Sequence, residues 1–264
     1  MNFKVSSEAV NKLYDDTVHP VAVEVGKTLS MVPRAINAAL SPAVQWIMQK
    51  EYNLAETKQA LEEKLSSVDP EKISSPPPYI AFPAVEAISH CMGSSELFDL
   101  YANLLSKALC TDTRDTVHPA FVEIIKQLSP IDALVLREFT YRNNVIPACT
   151  LSICQKHSGV YIVNQPQEQS YSLELISDIH LSGFSECQIR SSVDNLKRLG
   201  LISMKEIVLT QPNVYDFIEK SELYNDLFIQ YVDGTNKYIE TNKKILYTSS
   251  FGKCFCDVCI LGIE

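Results

Sequence analysis

Residues 185–204 read SECQIRSSVDNLKRLGLISM, and this stretch decides the fold. Ser185 followed three residues later by Gln188 is a capping-box helix start. Ile189, Val193, Leu196 and Leu199 then recur on one face at helical spacing. Gly200 is the glycine expected just past a helix end, and Leu201-Ile202-Ser203-Met204 begins a β segment. Upstream, Leu173 to His180 is expected to form a short helix, with Gly183 allowing a tight turn. Downstream, Lys244 to Thr248 is expected to return as the second strand of a hairpin, and Ser249 to start a helix that packs Phe251 and Phe255 onto the fold. Helix, turn, helix, strand and return strand are the order of a winged helix. The interval from Thr210 to Lys243 is long for a hairpin loop, so it should hold a helix of its own around Asn213 to Tyr231. Ser129-Pro130-Ile131-Asp132 starts a further helix, to Arg142, that buries Leu134, Leu136 and Phe139.

The rest of the chain reads as helical. Ser41-Pro42 supplies a cap and a first-turn proline for a helix over about 42–67. Further helices are expected at Ala84 to Cys91 and Ser94 to Cys110, the latter with Leu97, Leu100, Tyr101, Leu104, Leu105 and Ala108 on one broad face. Between them, Pro70, Pro76, Pro77, Pro78 and Pro83 predict an extended strap over 69–83, anchored by Tyr79, Ile80 and Phe82. The expected fold is therefore mainly α: a helical bundle over 1–128 followed by a winged-helix-like α+β domain over 129–264, with an insertion at about 210–243.

Composition excludes several classes. With 46% hydrophobic and 21% charged residues, 8 Gly and 13 Pro, the 264-residue chain suits helices punctuated by prolines. Its start lacks the pattern of a signal peptide, so a cytoplasmic location is expected. The most membrane-like stretch, 18–48, is broken by Glu24, Lys27, Arg34, Pro33 and Pro42, and its uncharged run from Ala35 to Gln49 is too short to span a bilayer. The net charge is −9, and residues 1–129 and 130–264 are both acidic, so neither half looks like a phosphate-backbone binder.

Candidate sites are few. The exposed face of the 185–199 helix offers Arg190, Lys197 and Arg198, opposed by Glu186 and Asp194, as residues that could face a partner or DNA. Residues 17–24, TVHPVAVE, are echoed by 116–123, TVHPAFVE, each placing His at a cap-like position, Pro at the first helical position and Glu one turn on. Two similar helix starts account for this, since neither copy has the paired histidines of a helical zinc site. Cys254, Cys256 and Cys259 are weak metal candidates; set among Phe251, Phe255, Val258 and Ile260 they read as buried helix cysteines, and no metal or other cofactor is expected. His19, His90, His118, His157 and His180 show no ligand spacing, and no nucleotide loop or nucleophile with a base partner is evident, so no catalytic residue is assigned.

Several blocks together form a pattern. Leu13-Tyr14-Asp15-Asp16 is followed by Pro20, Glu24-x-Gly26-Lys27 and Arg34-x-x-Asn37-x-Ala39-Leu40. Glu96-Leu97-x-x-Leu100-x-Ala102-Asn103-Leu104-Leu105 leads to the most distinctive block, Val117-His118-Pro119-x-Phe121-Val122-Glu123-Ile124-Ile125-Lys126-Gln127-Leu128-Ser129-Pro130, and Thr248-x-x-Phe251-Gly252-x-x-Phe255 closes the chain. These blocks resemble the abortive-infection alpha family of bacterial proteins and singled out His118, Pro119, Glu123 and Lys126 as family-motif residues. The resemblance implies defence against bacteriophage by sacrifice or arrest of infected cells. It supplies no active site, and the cysteine-rich end departs from the pattern. The leading expectation is a defence protein that binds a phage or host protein, or itself. The alternatives are a DNA-binding regulator using Arg190, Lys197 and Arg198, which the charge disfavours, and a membrane-disrupting effector using 18–48 as an amphipathic segment.

Overall fold

The computed structural model describes Ile36 and residues 51–88, 91, 93–155, 171–232, 234–235 and 237–263. The helix expected over 42–67 is thus seen from Glu51 onward, as α1 (Glu51–Lys64). Segment 18–48, Ile36 apart, lies outside the described residues. The chain continues through α2 (Pro78–Ile88), α3 (Ser95–Leu109), α4 (Ala120–Ile125), α5 (Pro130–Tyr141), β1 (Val145–Gln155), β2 (Tyr171–Ser177), α6 (Glu186–Arg198), β3 (Ile202–Lys205), α7 (Phe217–Lys220), α8 (Glu222–Leu227), β4 (Lys237–Thr248) and α9 (Ser250–Phe255). It is mainly helical, with one four-stranded sheet ordered β2-β1-β4-β3 and antiparallel at every pairing.

Two expectations are corrected. The strap over 69–83 opens with a 3-10 turn at Pro70–Lys72 and is extended only over 73–77, where Ile73 bridges Cys110 and the Ser74 amide donates to the Leu109 carbonyl at 2.9 Å. From Pro78 the chain is helical. Prolines in the first turn forfeit no hydrogen bond, and the amides of Ile80 and Ala81 both donate to the Pro77 carbonyl at 2.9 Å. Pro83 lies inside α2 and forfeits one bond, which burial of Ile80, Ala84, Val85 and Ile88 outweighs; Tyr79 and Phe82, expected as anchors, are exposed.

The second correction concerns 143–180. The short helix expected at 173–180 is strand β2, and the stretch before it, for which the sequence predicted no element, holds the long strand β1. So short a run of mixed apolar and polar residues fits either period, and only the sheet distinguishes them. Leu175 packs on the main core while Ile176 packs on a second cluster, so both faces of β2 are covered. Asn143 (φ 52°) and Asn144 (φ 64°) turn the chain out of α5 in the left-handed region that Asn tolerates. Pro147 is admitted in β1 because pairing with β2 begins one residue later, at Ala148 with Ser177.

The expected hairpin forms: β3 pairs with β4 from Ile202 with Thr248 to Lys205 with Ile245. The interval between them carries α7, α8 and a π-helical turn at Phe228–Val232. Tyr215, Phe217 and Ile218 from this insertion pack on Cys149, Leu151 and Ile176 of the sheet. The main core lies on the other face. It takes Leu61, Ile80, Leu104 and Phe121 from before residue 129 and Phe139, Val193, Leu246 and Phe255 from after it. At its centre is α3, where Leu100, Tyr101, Leu104, Leu105 and Ala108 are fully or almost fully buried, each larger side chain contributing about 1.5–3 kcal/mol.

The C-terminal segment locks this arrangement. Ser249 caps α9, its Oγ accepting from the Gly252 amide at 2.8 Å and donating to the Gly200 carbonyl at 2.6 Å, while its amide donates to the Leu201 carbonyl at 2.9 Å. Gly252 then presses its backbone on that same carbonyl, so that a β-carbon at 252 would lie 1.8 Å from the Leu201 oxygen. A π-helical turn at Cys256–Ile260 follows, and Asn103 of α3 donates from Nδ2 to the carbonyls of Cys259 (2.9 Å) and Ile260 (3.3 Å). Gly262, at φ +70°, ends the segment against the Asn103 side chain. Of the cysteine cluster, Cys254 is exposed, whereas Cys256 and Cys259 are buried. Burial pushes the Cys256 thiol up to about 12, Cys149 up to about 11, and Cys259 well above the ordinary range.

Gly252→Ala should cost about 3 kcal/mol or more, because the obstacle is backbone, and urea unfolding measures it. Wild-type stability of that variant would contradict the close approach. A raised thiol pKa leaves little thiolate, so at about pH 8 iodoacetamide should label Cys187 and Cys254 in the folded protein and spare Cys149, Cys256 and Cys259 until unfolding. Fast labelling of Cys256 or Cys259 by peptide mass mapping would contradict their burial.

Candidate functional site

The capping box predicted for α6 is present: the Ser185 amide donates to Gln188 Oε1 at 2.9 Å and the Gln188 amide to Ser185 Oγ at 3.4 Å. Ile189, Val193 and Leu196 are buried, which turns Arg190 and Lys197, two turns apart, to a common side and Arg198 about 80° round. The N-terminal turn is covered. Glu186 accepts from Ser221 Oγ at 2.8 Å and from the amides of Glu222 (3.0 Å) and Leu223 (3.4 Å), so its carboxylate holds the positive end of α8.

The three candidate cations are all engaged within the chain. Arg190 is half-buried in a small cleft with Glu186, Phe217 and Ser221. Lys197 pairs with Asp194 at 3.2 Å. Arg198 donates to Asn195 Oδ1 at 2.8 and 3.1 Å and to Gln127 Oε1 at 3.2 Å.

The block around His118 is a helix start. Nδ1 of His118 accepts from the Ala120 amide at 3.1 Å, and its ring lies 5.9 Å from Phe121 and 5.8 Å from Phe251, whose own ring is 5.4 Å from Phe121. Pro119 leads into α4, and Glu123 pairs with Lys126 at 2.7 Å on the surface, where such pairs contribute little. The earlier copy of the motif, residues 17–24, lies outside the described residues, as do His19, His90 and His157.

The block's last residues, from Lys126, with Ile131 and Asp132 just beyond it, form one wall of a cavity of about 480 Å³ whose other wall is α6 from Cys187 to Asn195. Asp132 is 2% exposed. Its Oδ2 accepts from the Ser129 amide at 2.7 Å, Ser129 Oγ at 2.8 Å and Asn195 Nδ2 at 3.0 Å. Asn195 uses Nδ2 again on the Gln127 carbonyl at 3.1 Å, tying the two walls together. Asp132 Oδ1 and the Oγ of buried Ser192 have no hydrogen-bond partner among the described residues. The cavity thus brings Lys126 of the family block opposite α6 but leaves His118 and Arg190 elsewhere.

Sequence reasoning saw Asp132 only as a cap and missed the cavity. The available signal was Ser192, a polar residue on the face of α6 that otherwise carries Ile189, Val193 and Leu196. Among the described residues no group of three His, Cys, Asp or Glu side chains is placed to hold a metal ion. Among them, too, no helix is long and apolar enough to cross a membrane.

Comparison with curated proteins and with solved structures gives no match. A model of the abortive infection alpha family matches residues 49–259. That span takes in α3, the His118 block, α6 and the buried C-terminal turn. The chain belongs to the abortive infection alpha family.

Proposed function

We propose that this protein defends bacteria against phage by abortive infection, acting through contacts with a phage or host protein, or with further copies of itself, and not through chemistry of its own. The defence role follows from the family. The mode of action rests on the covering of α6. In a winged helix that reads DNA, the N-terminal part of the second helix enters the major groove, with cations around it free for phosphates. The order α5, β1, α6, β3, β4 and the β1-β4-β3 pairing support a winged-helix-like arrangement for 129–264, with β2 where a middle helix would stand. Yet here Glu186 ties the start of α6 to α8, and Lys197 and Arg198 are spent on Asp194, Asn195 and Gln127. A domain closed in this way, on a chain of net charge −9, suits a protein platform better than a nucleic-acid reader.

Deleting the gene in its native host should raise plaque formation for at least one phage, and a plasmid copy should restore resistance. Unchanged plaque counts across a broad phage panel would sink the defence role. In mobility shifts with the native upstream DNA, the wild-type protein should behave like the Arg190→Ala, Lys197→Ala, Arg198→Ala triple variant; a shift lost only in the triple variant would restore the DNA reading. Glu186→Ala removes the acceptor for one hydroxyl and two amides, which should cost about 1–3 kcal/mol and expose residues 206–236 to limited proteolysis. Equal protection of that segment in the variant would show that Glu186 does not hold the insertion.

A further inference from the structure

We infer that the groove between residues 126–132 and α6 is a binding site for a cationic nitrogen group, an alkylguanidinium or alkylammonium, with Asp132 as its counter-charge. The source is either an arginine or lysine side chain of a partner polypeptide or a free small amine. The polypeptide source rests on the reading under Proposed function; the groove's chemistry does not.

Three observations carry this. Asp132 is a carboxylate at 2% exposure whose three donors, Ser129 N, Ser129 Oγ and Asn195 Nδ2, are uncharged and all fall on Oδ2. Among the described residues Oδ1 has no hydrogen-bond partner, and no lysine or arginine pairs with Asp132. A buried charge with one unpaired oxygen gains most from a cationic donor. Second, Ser192, at 3% exposure, lines the other wall of the same cavity, and its Oγ has no partner among the described residues, so the two walls hold two buried, unsatisfied acceptors, as many as a ligand with two N–H groups would pair. Third, the volume of about 480 Å³ lies in the range of small-ligand pockets.

Anions are disfavoured at the same place. The positive end of α5 could attract one, but the Asp132 carboxylate already occupies it through the capping box. The chain's net charge of −9 also steers cations inward. Lys126, on the rim, is held on the surface by Glu123 and is the one like charge a cationic ligand meets among the residues lining the groove.

The test uses the full chain, with agmatine and the tripeptide acetyl-Gly-Arg-Gly-amide as cationic probes and acetyl-Gly-Glu-Gly-amide and inorganic phosphate as anionic ones. Binding is read by calorimetry and by slowed maleimide labelling of Cys187, the exposed thiol at the groove, with Cys254 as the internal control. At least one cationic probe should bind and protect Cys187 but not Cys254. Asp132→Asn should weaken that binding about tenfold to a hundredfold. Because Asp132 also caps α5 and the variant could unfold, two others keep the test decisive: Ser192→Ala should weaken binding while leaving the cap intact, and Lys126→Glu should tighten it. Binding of the arginine tripeptide supports the inference and assigns the polypeptide source. Binding of agmatine alone supports the inference for a free amine and counts against the protein-partner reading. Binding of the anionic probes instead, weakening by Lys126→Glu, unchanged affinity in a folded Asp132→Asn variant, or no binding by any probe would overturn it.

Discussion

The carbonyl of Leu201 and the bare Cα of Gly252 occupy space that no side chain could share, and the rest of the structure is arranged around that contact. Leu201 is where α6 ends and β3 begins; Gly252 is in the first turn of the helix that follows β4. Pressing one on the other fixes the hairpin's open end against the final helix. From there the chain runs through buried Phe255, Val258 and Cys259 to Asn103, which takes up two carbonyls of the last turn from the middle of α3. A buried amide that satisfies helix-end carbonyls is directional, so it sets an orientation that apolar contact alone leaves loose. The position of α6 relative to the His118 block, and hence the shape of the groove between them, follows from this clasp. The family pattern at Thr248 to Phe255 marks the same segment, and the contact at Gly252 gives a physical reason for the residue there.

Much of the fold was legible from local chemistry. Capping residues placed the starts of α5 and α6 correctly, because a cap is decided by two or three adjacent residues. Gly200 placed the end of α6 for the same reason. What failed was what depends on neighbours distant in sequence. Strand β2 was read as helix because its burial on both faces comes from α6 on one side and the 210–243 insertion on the other. Strand β1 was missed because Pro147 and Ala148 are poor strand signals, tolerated here by pairing with β4 along the whole length of β1. The prolines of 76–83 were counted as breakers when three of them fall at a helix start.

The candidate site was legible only in pieces. Arg190, Lys197 and Arg198 were chosen as exposed cations, and their helix was placed correctly; Asp194 and Asn195, which engage Lys197 and Arg198, lie on that helix, but Gln127 at Arg198 and the insertion that lines the cleft of Arg190 approach from elsewhere in the chain. His118 was recognised as a cap, and the structure adds its tilted and edge-on ring contacts with Phe121 and Phe251. Asp132 has two roles that only the fold reveals together: it caps α5, and through Asn195 it joins the helix start to α6 beneath a cavity.

If the C-terminal clasp does fix α6 against the helices before residue 129, the two sides of the main core should open as one unit. Native-state hydrogen exchange across a denaturant series measures this directly. The account predicts that the slowest amides of α3, α5 and α6 converge on a single opening free energy equal to global unfolding. Protection in α3 that persists after α6 has opened, with two separate isotherms divided near residue 129, would contradict it.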